Sequence, residues 1–196
     1  MLDKYKVELK ENFPYKVIDV EGAEADDVIG TLAPRAVAHE DVLILSSDGD
    51  FIQLQMYNGK INNHKIKQYN PAQKKYVTTD NPLEYLKLHI IEGDKGDGIP
   101  NVLSPGDVFV REARQKPLTK GIKQKLLSEN LEKWDNESQA GFIRNRVLID
   151  LSYIPTEIKE KIINNYEEIK PAPKSKLLNY FIKYKLKNLI DVIEDF

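Results

Sequence analysis

The chain has 196 residues, of which 41% are hydrophobic and 31% are charged, the balance of a folded globular protein. It contains no cysteine, which excludes disulfide bonds and thiolate metal sites, and no apolar run approaches the ~18 residues of a membrane-spanning helix. The net charge of −2 conceals an asymmetry: residues 1–100 carry 12 basic and 17 acidic side chains, and residues 101–196 carry 17 and 14. The charged N-terminus lacks the apolar core of a signal peptide, so we expect a cytoplasmic protein without a membrane partner.

The first part of the chain has the pattern of an α/β protein. Apolar spacing predicts an N-terminal helix, and the β-branched segment 15–20 predicts a strand. A helix is expected next, with Pro34 causing a kink or an early end. The apolar segment 41–47 is typical of a strand buried on both faces of a parallel sheet. After a helix or turn, segments 65–71 and 74–79 predict two short strands, so the order indicates an α/β sheet.

From about Pro82 onward the periodicity is helical. The segment LEYLKLHII ends at the glycine-rich loop GDKGDGIPN, and four further helical segments follow. We therefore predict a division of the chain into an α/β part over residues 1–81 and a helical part over residues 82–196.

Three groups of acidic residues follow predicted elements of the chain. They are Glu24, Asp26 and Asp27 in EADD, Asp48 and Asp50 in SSDGD, and Asp94 and Asp97 in GDKGD. Because the carboxyl ends of parallel strands face one crevice, we expect the first two groups to lie close together. Two like charges ~4 Å apart repel by roughly 4 kcal/mol at an effective dielectric of ~20, so such a cluster requires protonation or bound cations. Oxygen ligands favour Mg²⁺ or Mn²⁺, and a pair of these ions ~3.5–4 Å apart can hydrolyse phosphodiesters.

Each acidic group also has a simpler interpretation when it is taken alone. Asp26 and Asp27 can cap a helix, Asp48 can be a turn residue, and the GDKGDG loop can be a surface turn. The histidines are interpreted as ordinary surface or core residues, because they are too scattered for a zinc site. They are His39, His64 and His89.

The strongest alternative from the residues is an aspartyl-phosphate phosphatase of the haloacid dehalogenase type. In that class a strand is followed by DxDx[TV], and LILSSDGDFI supplies Asp48 and Asp50. Ile52 stands in the Thr/Val position, however, and the EADD motif has no role in such an enzyme.

The ordered motifs EADDVIGTLA, SSDGDFIQLQ and GDKGDGIPNV resemble the 5′ nuclease family, which includes the flap endonucleases and the 5′-exonuclease domain of bacterial DNA polymerase I. The segments RNRVLIDLSYIP and KSKLLNYFIKYK are similar to the ribonucleases H of T-even phages within that family. The likeness runs from about Tyr15 to Phe196. It implies a PIN-like α/β nuclease core with a mostly parallel sheet, partial over residues 1–81. For residues 82–196 it implies a helix-three-turn-helix motif and a helical DNA-binding region.

The resemblance also implies the functional residues. All seven acidic residues above would bind metal, with two Mg²⁺ or Mn²⁺ ions as cofactors. The acids with an implied catalytic role are Asp26, Asp48 and Asp50. The GDKGD loop would grip a phosphodiester backbone through its N–H groups, and the basic stretch that follows would assist. The expected nucleic-acid-binding residues are Lys95, Gly96, Gly98, Ile99, Arg111, Arg114, Lys116, Lys120 and Lys123.

The implied reaction is Mg²⁺-dependent 5′→3′ hydrolysis of RNA–DNA hybrid and duplex DNA, as in removal of replication primers. Family members carry an N-terminal segment with an Asp-bearing strand and a Lys/Arg-rich helical arch, and nothing before YKVIDV corresponds to it. We therefore expect part of a split or truncated nuclease in the host cytoplasm. The expected partners are a separate N-terminal nuclease polypeptide and a phage single-stranded DNA-binding protein. The alternative is a duplex-binding module without catalysis, because its ligand set is incomplete.

Overall fold

The computed structural model describes residues 2–60 and 62–196. They divide into two compact units, one formed by the segment up to Glu24 together with Glu157–Phe196, and the other by Ala25–Thr156. The predicted domain boundary between residues 81 and 82 stays a prediction. None of the described helices is both long and apolar enough to cross a membrane.

The secondary structure follows the order predicted for most of the chain. The α-helices are α1 (Leu2–Asn12), α2 (Ala25–Ala36), α3 (Pro82–Glu92), α4 (Lys120–Ser128), α5 (Asn136–Ile149), α6 (Thr156–Glu168), α7 (Ser175–Lys183) and α8 (Lys187–Ile190). The strands are β1 (Val42–Leu45), β2 (Ile66–Asn70) and β3 (Lys75–Val77), and a 3₁₀ helix (Asp50–Tyr57) connects β1 to β2. Shorter 3₁₀ helices are Leu131–Lys133, Leu151–Tyr153 and Ile193–Asp195.

The three strands form one sheet in the order β1-β2-β3. β1 and β2 are parallel, and β2 and β3 are an antiparallel hairpin. In this register Leu45 lies beside Tyr69, and Tyr69 lies beside Tyr76. The protein is therefore of the α/β class, and one of its two strand pairings is parallel.

The prediction that β1 is buried on both faces is wrong. Ile44 is 5% exposed and joins an apolar core with Ala33 of α2 and Phe51 of the 3₁₀ helix. The side chains of Leu43 and Leu45 point to the other face and are 53% and 68% exposed. β1 is an edge strand of a small sheet that is packed on one face, which the apolarity of a short segment does not reveal.

The strand predicted for residues 15–20 is also wrong, because this segment is irregular. A strand needs a neighbour to pair with, and the described sheet consists of β1, β2 and β3. Side chains hold the segment instead. Lys16 donates from Nζ to the carbonyl oxygen of Tyr166 at 2.5 Å, and Asp19 pairs with Lys6 at 2.7 Å.

Helix α2 ends two residues after Pro34, as the sequence predicts. Gly30 allows this helix to approach the 3₁₀ helix Leu151–Tyr153 closely. A Cβ at Gly30 would lie 2.9 Å from Cδ1 of Ile154 and 3.1 Å from Cβ of Leu151. This close packing fixes the direction of α2, whose first turn carries two of the predicted acids.

The unit formed by the segment up to Glu24 and by Glu157–Phe196, the terminal unit, has an aromatic core of its own. Phe181 of α7 is fully buried and packs edge-on against Phe13 and Phe196, with ring centroids 6.1 and 5.4 Å apart. The hydroxyl groups of Tyr180 and Tyr184 donate to the two carboxylate oxygens of Glu8 at 3.0 and 2.9 Å. The aromatic residues of the segment KSKLLNYFIKYK therefore belong to the packing of α7 against α1 and the chain ends beside it.

Candidate metal centre

The acids after β1 are held by a buried side chain of β2. Gln68 is 1% exposed, and its Nε2 donates to the carbonyl oxygens of Ser46 at 3.0 Å and of Asp48 at 2.5 Å. The backbone N–H of Asp50 then donates to Oδ1 of Asp48 at 3.0 Å. These hydrogen bonds fix the backbone that follows β1, from Ser46 to Asp50, and so position Asp48 and Asp50 at the start of the 3₁₀ helix.

The third acidic group begins where α3 ends at Gly93. This glycine has a φ of +70°, and a Cβ there would overlap the backbone of Ile99 and lie 2.6 Å from the carbonyl oxygen of Pro100. A side chain is therefore excluded at this turn. Beyond it, Oδ1 of Asp94 accepts hydrogen bonds from the N–H groups of Gly96 at 2.7 Å and Asp97 at 3.3 Å.

Helix α5 anchors the loop that carries Asp94. Asn145 is fully buried, and its Nδ2 donates to the carbonyl oxygens of Ile90 at 2.9 Å and Pro100 at 2.8 Å. Arg144 donates from Nη2 to Pro100 at 3.1 Å and from Nη1 to the carbonyl oxygen of Ser104 at 3.1 Å. These carbonyl groups are buried, so they need hydrogen-bond donors, which Asn145 and Arg144 supply. The same contacts set the position of the loop relative to α3.

The structure brings Asp50, His89 and Asp94 together. One ligand atom from each lies within 4.8 Å of the other two, which makes the three a candidate metal centre within the described residues. Nδ1 of His89 is 3.2 Å from Oδ1 of Asp50, and Nε2 is 3.5 Å from Oδ2 of Asp94. Nδ1 of His89 and Oδ1 of Asp50 are both buried, and neither atom has a hydrogen-bond partner of acceptable geometry among the described residues.

The electrostatics of the centre show which other acids are near. Burial raises the pKa of Asp50 from 3.8 to about 6. The charge of His89 opposes that rise, and the charges of Asp48, Asp26 and Asp94 add to it. Three other predicted acids, from two further parts of the chain and from the segment just before it, therefore act on Asp50.

The remaining predicted ligands are not part of the three-residue centre. Asp27 lies half-buried in the first turn of α2, and Asp97 is exposed in the loop after α3. Glu24 is exposed and belongs to the terminal unit. The metal-binding roles implied for the seven acids stay predictions.

Sequence reasoning missed His89. The other histidines are distant in the sequence, whereas the neighbours that matter are two carboxylates, Asp94 close by in the chain and Asp50 from a distant element. The usable signal was its position in the last turn of an amphipathic helix, five residues before Asp94.

The donor atoms of the centre fit a divalent cation. Carboxylate oxygens are the ligands that Mg²⁺ and Mn²⁺ prefer. An ion beside Asp50 and His89 would also satisfy the two buried atoms, Oδ1 and Nδ1, that lack hydrogen bonds within the described part of the chain. The residues present therefore suit the kind of cofactor that the sequence predicts.

Of the basic residues expected to bind nucleic acid, some form ion pairs with acidic side chains and others are simply exposed. Arg111, Lys116 and Lys123 form ion pairs with Asp107, Glu137 and Glu92, the last two at 2.7 and 2.5 Å. The exposed residues of the set include Lys95, Arg114 and Lys120.

The N–H groups of the GDKGD loop bond within the loop. Gly98 donates to Lys95 at 3.3 Å, and the buried Ile99 donates to the carbonyl oxygen of Asp94 at 2.6 Å. Gly96 donates to the Asp94 carboxylate. A phosphate would have to replace these bonds, and the expected contact stays a prediction.

Comparison with known protein families gives two matches that together span most of the chain. The profile described as T4 RNase H, C terminal, matches residues 83–196. The profile described as 5′-3′ exonuclease, N-terminal resolvase-like domain, matches residues 4–81.

Individual relatives agree with these profiles. Ribonuclease H of Enterobacteria phage T4 is 34% identical over 198 residues, which cover 96% of this chain and 63% of that protein. A 5′-3′ exonuclease of Buchnera aphidicola is 38% identical over 96 residues, covering 47% of this chain and 33% of that protein. The chain thus spans less than two thirds of the length of these relatives. A crystal structure of the bacteriophage T5 flap endonuclease with DNA and metal ions aligns at 20% identity with a TM-score of 0.49, covering 76% of this chain and 61% of that one.

Proposed function

The chain belongs to the 5′ nuclease family, and we propose that it is a Mg²⁺- or Mn²⁺-dependent 5′→3′ nuclease acting on RNA–DNA hybrid and duplex DNA. The observation that carries the proposal is the meeting of Asp50, His89 and Asp94, with Asp26 and Asp48 close enough to change the pKa of Asp50. Its similarity to a phage ribonuclease H supports a role in removing RNA primers in the cytoplasm of a bacterial host. The family assignment replaces the phosphatase alternative.

The carboxylates of Asp26, Asp48, Asp50 and Asp94 are the residues that would hold the ions, two in number by our proposal. When bound, such ions activate a water molecule and stabilise the charge on the leaving 3′ oxygen. The protein's own contribution is to position the acids before an ion arrives. Gln68 fixes the backbone at Asp48, and the Asp94 loop is anchored by α5.

Contact with the duplex is proposed for the basic residues after α3. Exposed Lys95, Arg114 and Lys120 are available to neutralise phosphates, and such contacts make binding strongly salt-dependent. The ion pairs of Arg111, Lys116 and Lys123 would have to loosen or be shared with the phosphates.

A partner polypeptide is proposed on the basis of the sheet. Leu43, Leu45 and Tyr76 are 53%, 68% and 58% exposed, and the last two flank Tyr69 in register on one face. Sheets with parallel pairing are normally covered on both faces, and an apolar stripe of this kind marks a contact surface. We propose that the separate N-terminal nuclease polypeptide covers it. A phage single-stranded DNA-binding protein stays a predicted further partner.

A cleavage assay tests the proposed activity. The purified chain is given 5′-labelled RNA–DNA hybrid and Mg²⁺, with and without a candidate N-terminal nuclease polypeptide. We expect products that are lost in Asp48→Asn and Asp50→Asn and kept in Asp80→Asn, an exposed acid outside the centre. Binding without cleavage under both conditions would instead identify a duplex-binding module.

A further inference from the structure

His89 lies between two acids that come from different elements. It occupies the last turn of α3, and its side chain is 17% exposed. One ring nitrogen faces Asp50 at 3.2 Å and the other faces Asp94 at 3.5 Å. The ring of Tyr85, one turn earlier, packs edge-on against it at a centroid distance of 6.2 Å, which restricts rotation of the imidazole.

The spacing on the Asp50 side fits two ligands of one ion. Two atoms bound at right angles to an ion, each at ~2.1 Å, lie ~3.0 Å apart. The observed separation of Nδ1 from Oδ1 is 3.2 Å, and the two atoms are not aligned for a hydrogen bond with each other. Burial of two unpartnered polar atoms is costly, and a shared cation removes that cost.

We propose that His89 is a nitrogen ligand of the ion held by Asp50, and that it makes this position prefer Mn²⁺ to Mg²⁺. Mg²⁺ is bound almost wholly by oxygen, whereas imidazole binds transition-metal ions well. A neutral nitrogen in place of an oxygen therefore favours Mn²⁺ at this position. The proposal rests on the metal centre of the proposed nuclease, and adds a ligand that the acidic motifs do not contain.

Another role for His89 has different consequences. A protonated imidazole could simply link Asp50 and Asp94 in the metal-free protein and move aside when an ion binds. In that case His89 would compete with the ion, and its removal would strengthen metal binding or leave it unchanged. A direct ligand gives the opposite result.

Pulsed electron paramagnetic resonance of the Mn²⁺-loaded chain tests the ligand directly. We expect nuclear modulation from a coordinated ¹⁴N atom, replaced by the ¹⁵N pattern when the protein is grown with ¹⁵N-labelled histidine. The modulation should vanish in His89→Gln and persist in His64→Gln, a matched control whose histidine is 41% exposed beside Asp41. Because the wild-type spectrum is informative by itself, the test does not depend on the folding of a variant.

Calorimetric titration of the same proteins with each ion tests the preference for Mn²⁺ over Mg²⁺. Loss of a group that merely supports a metal ligand typically weakens affinity about 10–100-fold, so His89→Gln should weaken Mn²⁺ binding at least about tenfold. The loss for Mg²⁺ should be smaller, and His64→Gln should bind both ions as the wild type does. Circular dichroism would verify that both variants are folded.

The outcomes separate this inference from the proposed function. If Mn²⁺ binds without nitrogen coupling, or binds His89→Gln more tightly than the wild type, the role of His89 as a ligand is overturned. If the same sample still cleaves the hybrid, the nuclease proposal stands. Nitrogen coupling in a sample that cleaves no hybrid, alone or with a partner, supports the ligand and counts against the nuclease.

Discussion

Replacement of Asp50 by asparagine should stabilise the metal-free protein above pH 6. Burial raises the pKa of this carboxyl group from 3.8 to about 6, so the folded protein binds the proton more tightly than the unfolded chain does. The free energy of unfolding therefore falls as the pH rises from about 4 to about 6, and stays at the lower value above that range. Because a tenfold change in proton affinity is worth about 1.4 kcal/mol, the fall attributable to Asp50 is at most about 3 kcal/mol.

Asparagine has nearly the same shape and no charge, so it removes this pH-dependent loss. Urea unfolding in the presence of a chelator, at intervals from pH 4 to pH 8, should show the Asp50→Asn variant gaining on the wild type by about 1–3 kcal/mol across the window. The pKa of about 6 already includes the attraction to His89, and the lower end of the range reflects screening by solvent of a carboxyl group that is 16% exposed. Asp80→Asn should follow the wild type within about 0.5 kcal/mol at each pH. If Asp50→Asn were less stable than the wild type at pH 8, Asp50 would not be a carboxylate held at electrostatic cost.

Three further predictions concern the surroundings of the centre. Gly93→Ala should destabilise the protein by at least about 2 kcal/mol in urea unfolding, because the added Cβ would overlap the backbone at a residue with a positive φ. The control is Gly121→Ala on α4, where the added Cβ meets no other atom. This variant should be neutral or stabilised by up to about 1 kcal/mol. An unchanged Gly93→Ala protein would mean that the turn after α3 is wrongly described. Asn145→Ala should cost about 2–4 kcal/mol, since the buried carbonyl groups of Ile90 and Pro100 lose this donor and Pro100 keeps only Arg144; a cost below about 1 kcal/mol would count against the anchoring of the loop. Lys95→Gln and Arg114→Gln should each lower the slope of log affinity for duplex against log salt by about 1, measured by fluorescence anisotropy, and an unchanged slope would remove that residue from the interface.

Part of the candidate site could be predicted from the sequence, because the positions of several of its acids depend on local features. Asp48 and Asp50 follow an apolar strand, and Asp94 follows a helix that ends at a glycine, so both groups could be placed from the ends of elements. The position of Asp26 in the first turn of α2 was equally clear. Such placements require only that the elements form in the predicted order.

The errors arose where the answer depends on neighbours that are distant in the chain. The segment 15–20 has strand propensity but no strand beside it in the described sheet, and propensity alone does not make a ladder. The exposure of Leu43 and Leu45 depends on how many strands and helices surround β1, which its own residues do not encode. The role of His89 likewise appears only when α3 is packed against the 3₁₀ helix that carries Asp50.

The most direct test of the metal centre is the melting temperature of the chain as a function of Mn²⁺ and Mg²⁺ concentration, with Asp50→Asn measured in parallel. Our account predicts a saturable rise for the wild type, because an ion that binds only the folded state stabilises it by mass action, and no such rise for the variant. If both proteins melt at temperatures that do not change with either ion, or rise equally, then the acids around Asp50 do not hold the cofactor on which the proposed hydrolysis depends.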